Sequence, residues 1–313
     1  MSLSHDARPV VVFLMGPTGA GKTDVAVDLV ARLPCDIISV DSALVYKGMD
    51  IGTAKPGTGV LEQAPHRLID ICDPAESYSA ARFRAEACAE IESILAAGRI
   101  PLLVGGTMLY FRALANGLSR LPAADKAVRQ ALELQAHRLG WTVMHERLSV
   151  IDPQAGQRIH PNDPQRILRA LEVYEMTGIP LSDLQGQSVP LPYRIIRLIV
   201  APSERAELHR RIERRFQVMM EQGFLAEVEG LYRRGDLHAN LPAMRAVGYR
   251  QLWAHLAGEE GLETAVQRGM TATRQLAKRQ LTWLRSEPEG TKWFDGGDKN
   301  MLSDILKTLD DAQ

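Results

Sequence analysis

The sequence predicts an α/β fold: a parallel sheet core with helices on both faces, interrupted by an inserted all-helical domain. Three observations carry this expectation. The first third of the chain alternates apolar, β-branched runs with stretches of helical spacing, the pattern of right-handed βαβ units. Gly16-Pro17-Thr18-Gly19-Ala20-Gly21-Lys22-Thr23 matches the phosphate loop G-x-x-x-x-G-K-[ST] at every fixed position, between a strand-like and a helix-like run, so the core is P-loop NTPase-like. From about Ser119 to Pro190 only helical periodicity remains. The catalytic core is therefore expected over residues 1–118 and 191–313, and the helical insertion over 119–190.

Val10–Leu14 reads as the first strand and Thr23–Leu33 as the helix behind the loop. Ile37–Val40 reads as a second strand and Arg67–Ile71 as a third. Ser79 can cap a helix running to about Ala97, with Gly98 past its end. Ile100–Val104 is a further strand, followed by Gly105-Gly106-Thr107 and a helix through Ala115. In the insertion, Ala123–Leu139, Trp141–Val150 and Pro164–Thr177 have helical spacing; Asp163 precedes the last as N-cap and Gly178 follows it. Strand character returns at Arg194–Val200, then helices over Ser203–Gln222, Phe224–Arg234, Tyr249–Leu256 and Leu262–Ser286. After Trp293 the chain reads as short and polar.

The length of 313 residues allows a large core and two domains. No run of eighteen apolar residues suggests a membrane span, and Met1–Pro9 lacks the pattern of a signal peptide. Cys35, Cys72 and Cys88 have no metal-ligand spacing and read as thiols in a reducing compartment. A cytoplasmic monomer is the expectation. The net charge of −1 argues against nonspecific nucleic-acid binding, but its distribution is uneven. Ala265–Arg285 holds Arg268, Arg274, Lys278, Arg279 and Arg285 with no acidic residue. A second cluster contains Arg205, Arg210, Arg211, Arg214 and Arg215. Such clusters can steer a polyanion, or can be solvated helix faces.

The glycines of the phosphate loop let backbone N–H groups converge on phosphate oxygens, and the helix behind them adds its positive dipole end. Lys22 supplies a point charge, and the Thr23 hydroxyl can ligate Mg²⁺. Asp41 sits just past the carboxyl end of the second strand, where ligands lie in open α/β sheets; it can serve as a base, or simply close an Asx-turn. Arg211 and Arg215 are one helical turn apart and could clamp a diphosphate from the side opposite Lys22. Arg274, Lys278 and Arg285 form a stripe suited to a phosphate backbone, beside an apolar stripe of Ala277, Leu281 and Leu284. Arg158, Arg166 and Arg169 form a smaller basic set. The histidines show no metal spacing, and no G-x-S-x-G, Cys/His or N-K-x-D constellation occurs. A P-loop small-molecule or nucleotide kinase, with Asp41 as base toward a hydroxyl, and an RNA-binding module without chemistry remain open on these residues.

Six segments carry a resemblance. They are Gly16–Thr23, Asp41–Pro56, Val104–Tyr110, His160–Glu172, Arg245–Gln251 and Thr273–Arg285, in that order. Together, over nearly the whole chain, they resemble the bacterial tRNA dimethylallyltransferases, the IPP transferase family; the run Asp41–Pro56 is far more specific than the phosphate loop. The resemblance implies transfer of the dimethylallyl group of dimethylallyl diphosphate to N6 of the adenosine 3′ of the anticodon. It implies that Gly16, Pro17, Thr18, Gly19, Ala20, Gly21, Lys22, Thr23, Arg211 and Arg215 hold a diphosphate leaving group. Lys22, Thr23 with Mg²⁺, and Arg215 would neutralise that group, and Asp41 would take the amine proton. It further implies tRNA anticodon stem-loop contacts from Asp41, Ser42, Ala43, Leu44, Thr107, Arg129, Gln165, Arg166, Ile167, Leu168 and Arg169. Arg245, Ala246, Val247, Gly248, Tyr249 and Arg250 would add to these, as would Lys278, Arg279, Gln280, Leu281, Thr282, Trp283, Leu284 and Arg285. The target base would be flipped into a channel shared with the prenyl group, and the helical insertion would grip the anticodon loop. Two departures stand out. The loop reads Thr-Gly-Ala-Gly-Lys-Thr where the family commonly has Thr-Ala-Ser-Gly-Lys-Thr, and the Cys/His-rich extension of eukaryotic relatives is absent.

Overall fold

A computed structural model describes residues 8–119, 121–186 and 189–311. Most of Met1–Pro9, on which the leader expectation rests, therefore lies outside the described residues. The chain divides into two units, Met1–Ala115 with Pro192–Gln313, and Asn116–Leu191.

The first unit is built on β1 (Val10–Met15), α1 (Lys22–Val30), β2 (Cys35–Val40), α2 (Thr58–Gln63), β3 (His66–Arg67), α3 (Ala80–Ala96), β4 (Ile100–Gly105) and α4 (Met108–Asn116). The second unit contains α5 (Lys126–Leu139), α6 (Trp141–Ile151), α7 (Pro153–Arg158), α8 (Pro164–Thr177) and α9 (Leu181–Leu184). The chain then returns to the first unit through β5 (Arg194–Ala201), α10 (Arg205–Glu221), α11 (Phe224–Tyr232), α12 (Tyr249–Leu256), α13 (Leu262–Leu284), β6 (Lys292–Asp295) and α14 (Met301–Asp310).

All strand pairings in the six-stranded sheet are parallel, and the order is β3-β2-β4-β1-β5-β6. Parallel strands covered on both faces read as near-continuous apolar runs, as β1 and β4 do, whereas β5 carries Arg194 and Arg197 in its partly buried first half. Val12, Leu14, Leu102, Val104, Leu198 and Val200 pack one face against Val25, Ala26 and Leu29 of α1. On other strand positions, Phe13 meets Phe111 of α4 with ring centroids 5.0 Å apart, and Phe83 of α3 stacks on Tyr110 at 4.3 Å.

Two sequence expectations change here. The third strand is only His66–Arg67, because Leu68 and Asp70 adopt left-handed φ values of 62° and 54° that cannot continue a ladder. The segment after Trp293 is no polar tail. Lys292–Asp295 becomes the edge strand β6, and α14 packs buried Ile305 and Leu309 onto the α1 side of the core. Met301, Leu302, Ile305, Leu306 and Leu309 have the 3.6-residue spacing that carries this packing.

In the second unit, Leu132, Met144, Leu148, Ile167, Leu171 and Leu181 form the core. Asp163 caps α8 by accepting from the Arg166 amide, and Gly178 ends it in a left-handed conformation. Among the described residues of this unit two carboxylates are buried, Asp152 and the wholly enclosed Glu172.

Candidate active site

A cleft of about 530 Å³ lies in the first unit, over the carboxyl ends of the central strands. Polar groups reach it from the turn after β1, the loop after β2, the turn after β4, the loop before α12, and the facing sides of α10 and α13.

The turn after β1 is the phosphate-loop sequence. Gly19 and Gly21 take φ values of 80° and 88°, where a side chain is strained, and Gly21 gives α1 no side-chain cap. The N-terminus of α1 is thus presented bare, as an anion site requires. Lys22 folds back so that Nζ donates to the Pro17 carbonyl at 2.9 Å. Burial lowers its pKa to about 8, with Asp41 opposing the shift and Arg215 adding to it. Thr23 is exposed on the first turn of α1.

Asp41 closes the Asx-turn that its place in the sequence allowed, and it does so at the cleft. Its Oδ1 accepts from the amides of Ala43 at 2.8 Å and Leu44 at 3.4 Å, an Asx-turn, and its side chain lines the cleft. Oδ2 takes no hydrogen bond among the described residues. Thr107, after β4, accepts from the Ser42 amide at 3.0 Å and so ties down the strand end that carries Asp41.

Arg215 enters from α10, and its Nη2 donates to the Thr53 carbonyl at 3.2 Å. Burial depresses its pKa, and Asp41 works against that shift. Arg211 does not join it in the cleft. Glu207, one turn earlier, accepts from Arg211 Nε at 2.8 Å, and Nη2 reaches the Gly296 carbonyl at 3.4 Å. The expected two-arginine clamp is thus one cleft-lining arginine, with the other tied into the turn after β6.

Gln280 of α13 bridges two of these segments. Its Oε1 accepts from the Thr18 amide at 2.9 Å, and its Nε2 donates to the Gly106 carbonyl at 2.8 Å. Trp283, one turn on, lines the cleft with the Arg112 guanidinium 4.9 Å over its ring. The apolar wall comes from Met108, Leu109, Ile212, Phe216, Met219 and Leu276.

Among the residues expected to touch RNA, Asp41, Ser42, Ala43, Thr107, Arg245, Ala246, Val247, Tyr249, Arg279, Gln280 and Trp283 line the cleft. Arg250, Lys278, Thr282 and Arg285 are exposed outside it, and Leu44 is partly buried. Leu284, Ile167 and Leu168 are packed into cores, Leu281 packs beside Leu208, Ile212 and Ala277, and Gly248 is buried. The side chains of those packed residues hold the helices together. Tyr249 is likewise closed off from solvent, with its hydroxyl donated to Glu227 at 2.5 Å. Arg274 leaves the expected basic stripe, because it ion-pairs with Glu213 of α10. In the second unit, Gln165 and Arg166 are exposed, but Arg129 and Arg169 both bond the buried Glu172 carboxylate, at 3.1 and 2.9 Å. A buried carboxylate needs such partners, and their geometry is set by that need.

Sequence reasoning missed Glu227 and the carbonyl of Thr53. Glu227 accepts from three consecutive backbone amides beside the cleft. Its signal was available: it falls between buried Phe224 and Leu231, beside Val228, on the apolar face of α11.

Among the described residues no group of three His, Cys, Asp or Glu side chains forms a metal cage. The exposed Thr23 hydroxyl on the first turn of α1 is the protein oxygen that could ligate a magnesium ion held otherwise by phosphates and water.

Comparison with known proteins gives a consistent result. The sequence model of the IPP transferase family matches residues 44–287. The chain is 64% identical over 282 residues to a tRNA dimethylallyltransferase from Thioalkalivibrio sulfidiphilus (strain HL-EbGR7), covering 90% of this chain and 88% of that protein. The fold is similar to the full-length tRNA isopentenylpyrophosphate transferase of Bacillus halodurans, with a TM-score of 0.72 and 37% identity, covering 97% of this chain and 96% of the other. It is also similar to a eukaryotic dimethylallyltransferase acting on tRNA, with a TM-score of 0.83 and 28% identity over 97% of this chain and 79% of that one.

Proposed function

The chain belongs to the IPP transferase family, and from that membership we propose that it moves the dimethylallyl group of dimethylallyl diphosphate to N6 of the adenosine 3′-adjacent to the anticodon in tRNA. The products are N6-isopentenyladenosine in the tRNA, and diphosphate. One observation carries the chemical reading: Asp41, Arg215 and the phosphate-loop residue Thr18 line one cleft that also holds an apolar wall of Met108, Leu109, Ile212, Phe216, Met219 and Leu276.

The diphosphate is read onto the bare N-terminus of α1, with Lys22 and Arg215 facing it and Thr23 available to a magnesium ion. Magnesium, when bound, would offset charge on the departing diphosphate oxygens. The five-carbon group is read against the wall of Leu109, Phe216 and Met219. As the allylic C–O bond breaks, its electron pair stays with the diphosphate, where Lys22 and Arg215 offset the charge. The N6 lone pair forms the new C–N bond, and the N6 proton passes to the unpaired Oδ2 of Asp41. Because the N6 amine is delocalised into its ring, its placement matters more than its strength as a nucleophile. Exposed Lys278 and Arg279 of α13 and Arg285 just past its end, with Arg245 and Arg250, are read as contacts for the phosphates of the anticodon stem-loop. Exposed Gln165 and Arg166 are read as a further RNA-facing surface on the helical unit. A cytoplasmic protein acting as a single chain completes the reading. No helix of the described residues is long and apolar enough to cross a membrane.

Asp41→Ala should lower prenyl transfer to tRNA by about 10²-fold or more, as loss of a general base does. RNA affinity should change far less. Unchanged transfer, or ATP consumption without prenyl transfer, would overturn this assignment. In cells, total tRNA from a strain lacking the protein should lose isopentenyl-type adenosine by mass spectrometry.

A further inference from the structure

We propose that Glu227 is a positioning residue for Arg215, acting through the turn Asp50–Thr53; this rests on reading the cleft as a diphosphate site. Three successive amides converge on the Glu227 carboxylate. Asp50 N and Ile51 N donate to Oε2 at 2.9 and 2.7 Å, and Gly52 N to Oε1 at 3.1 Å. Consecutive N–H groups of this kind form an anion-binding concavity. Here the anion is the protein's own carboxylate, delivered by α11 from 175 positions further along the chain.

The seat is shaped for this turn alone. A Cβ on Gly52 would lie 2.0 Å from Cε2 of Phe224 and 2.6 Å from Cε2 of Tyr249, so only glycine fits between the two rings. Those rings pack edge to face with centroids 4.9 Å apart. The Tyr249 hydroxyl donates to Oε1 and fixes the carboxylate from its other side. Burial and the neighbouring carboxylate hold that phenol in its protonated, donating form.

The output of the seat is the Thr53 carbonyl. The Thr53 hydroxyl donates to the Met49 carbonyl at 2.7 Å, which closes the turn, and the Thr53 carbonyl accepts from Arg215 Nη2. Arg215 has one hydrogen-bonding anchor among the described residues, and Glu227 sets where that anchor stands. A carboxylate is needed because it only accepts. A glutamine would aim an N–H₂ group at amides that also donate.

A double-variant cycle tests this on the full chain, with inorganic diphosphate and Mg²⁺ as the calorimetric probe. Glu227→Gln should weaken diphosphate binding by about tenfold, and Arg215→Ala by at least as much. In the Arg215→Ala background, Glu227→Gln should have no further effect. In turnover, Glu227→Gln should lower kcat/KM for the prenyl diphosphate and leave the KM for tRNA unchanged. Tyr249→Phe should show a smaller effect that also vanishes with Arg215→Ala, so the cycle can be run even if Glu227→Gln fails to fold. Multiplying effects in the double variant would overturn the proposal. If Arg215→Ala weakens diphosphate binding and Glu227→Gln does not, only the role of Glu227 falls. If Arg215→Ala leaves the affinity unchanged, the diphosphate reading falls as well.

Discussion

Glu172 in the helical unit and Glu227 in the α/β unit begin from the same pattern. Each interrupts the apolar face of a helix, Glu172 beside Leu168 and Leu171, Glu227 between Phe224 and Leu231. Their partners differ. Glu172 is met by two guanidiniums, Arg129 and Arg169, and by the Asp125 amide at 2.9 Å. Among the described residues Glu227 is met by three backbone amides and a phenol, with no cation. A carboxylate paired with formal charges pins α5 to α8 and stabilises a unit. A carboxylate paired with consecutive amides sets the path of a loop, and that loop borders the cleft. The kind of partner, more than the burial, decides whether such a group serves stability or a site.

The contrast can be broken in order of expected size. Glu172→Ala removes the buried carboxylate that ties Arg129, Arg169 and the Asp125 amide together and should destabilise the helical unit by about 1–3 kcal/mol in urea unfolding, since both guanidiniums keep access to water. Diphosphate affinity should not change. A loss of affinity matching that of Glu227→Gln would erase the distinction drawn here.

The next effect is on pH dependence. Lys22 has its pKa lowered to about 8, so it is charged below that pH and loses its proton above it. Diphosphate favours the charged form, and its Kd should therefore rise above pH 8, by up to about tenfold per pH unit. Lys22→Arg keeps its charge in that range and should flatten the rise, which separates the lysine from titration of the ligand itself. A wild-type profile that stays flat from pH 7 to 10 would remove Lys22 from the anion site.

The smallest effect separates free cations from committed ones. Lys278→Ala should reduce the slope of log K against log salt for tRNA binding by about 1. Arg129→Ala should leave that slope unchanged, because Arg129 is already bonded to Glu172. Equal slopes for the two variants would mean that ion pairing within the fold is no guide to which arginines meet RNA.

Legibility in the sequence followed the range of the interaction. The bounds of α8 and α12 agree with the sequence reading because capping residues and spacing lie within a few positions of each other. The third strand did not, since left-handed Leu68 and Asp70 answer to tertiary contacts; the Asp70 amide bonds the Leu44 carbonyl. The α14 helix had its apolar spacing in plain view, but its polar residues hid it. In the cleft, Asp41 and Arg215 could be singled out by position and charge, whereas Arg211 and Arg274 read the same way and found Glu207 and Glu213 instead.

Local chemistry alone therefore settled the phosphate-loop turn, the strand–helix alternation and the family of this protein, because each is encoded in residues adjacent along the chain. Folding assigned the partners. Glu227 meets amides up to 177 positions away and Glu172 meets Arg129 across 43, separations at which charge and periodicity carry no information about who will be neighbours. Which cations face the cleft, and which neutralise a carboxylate inside the protein, is a matter of distance in space.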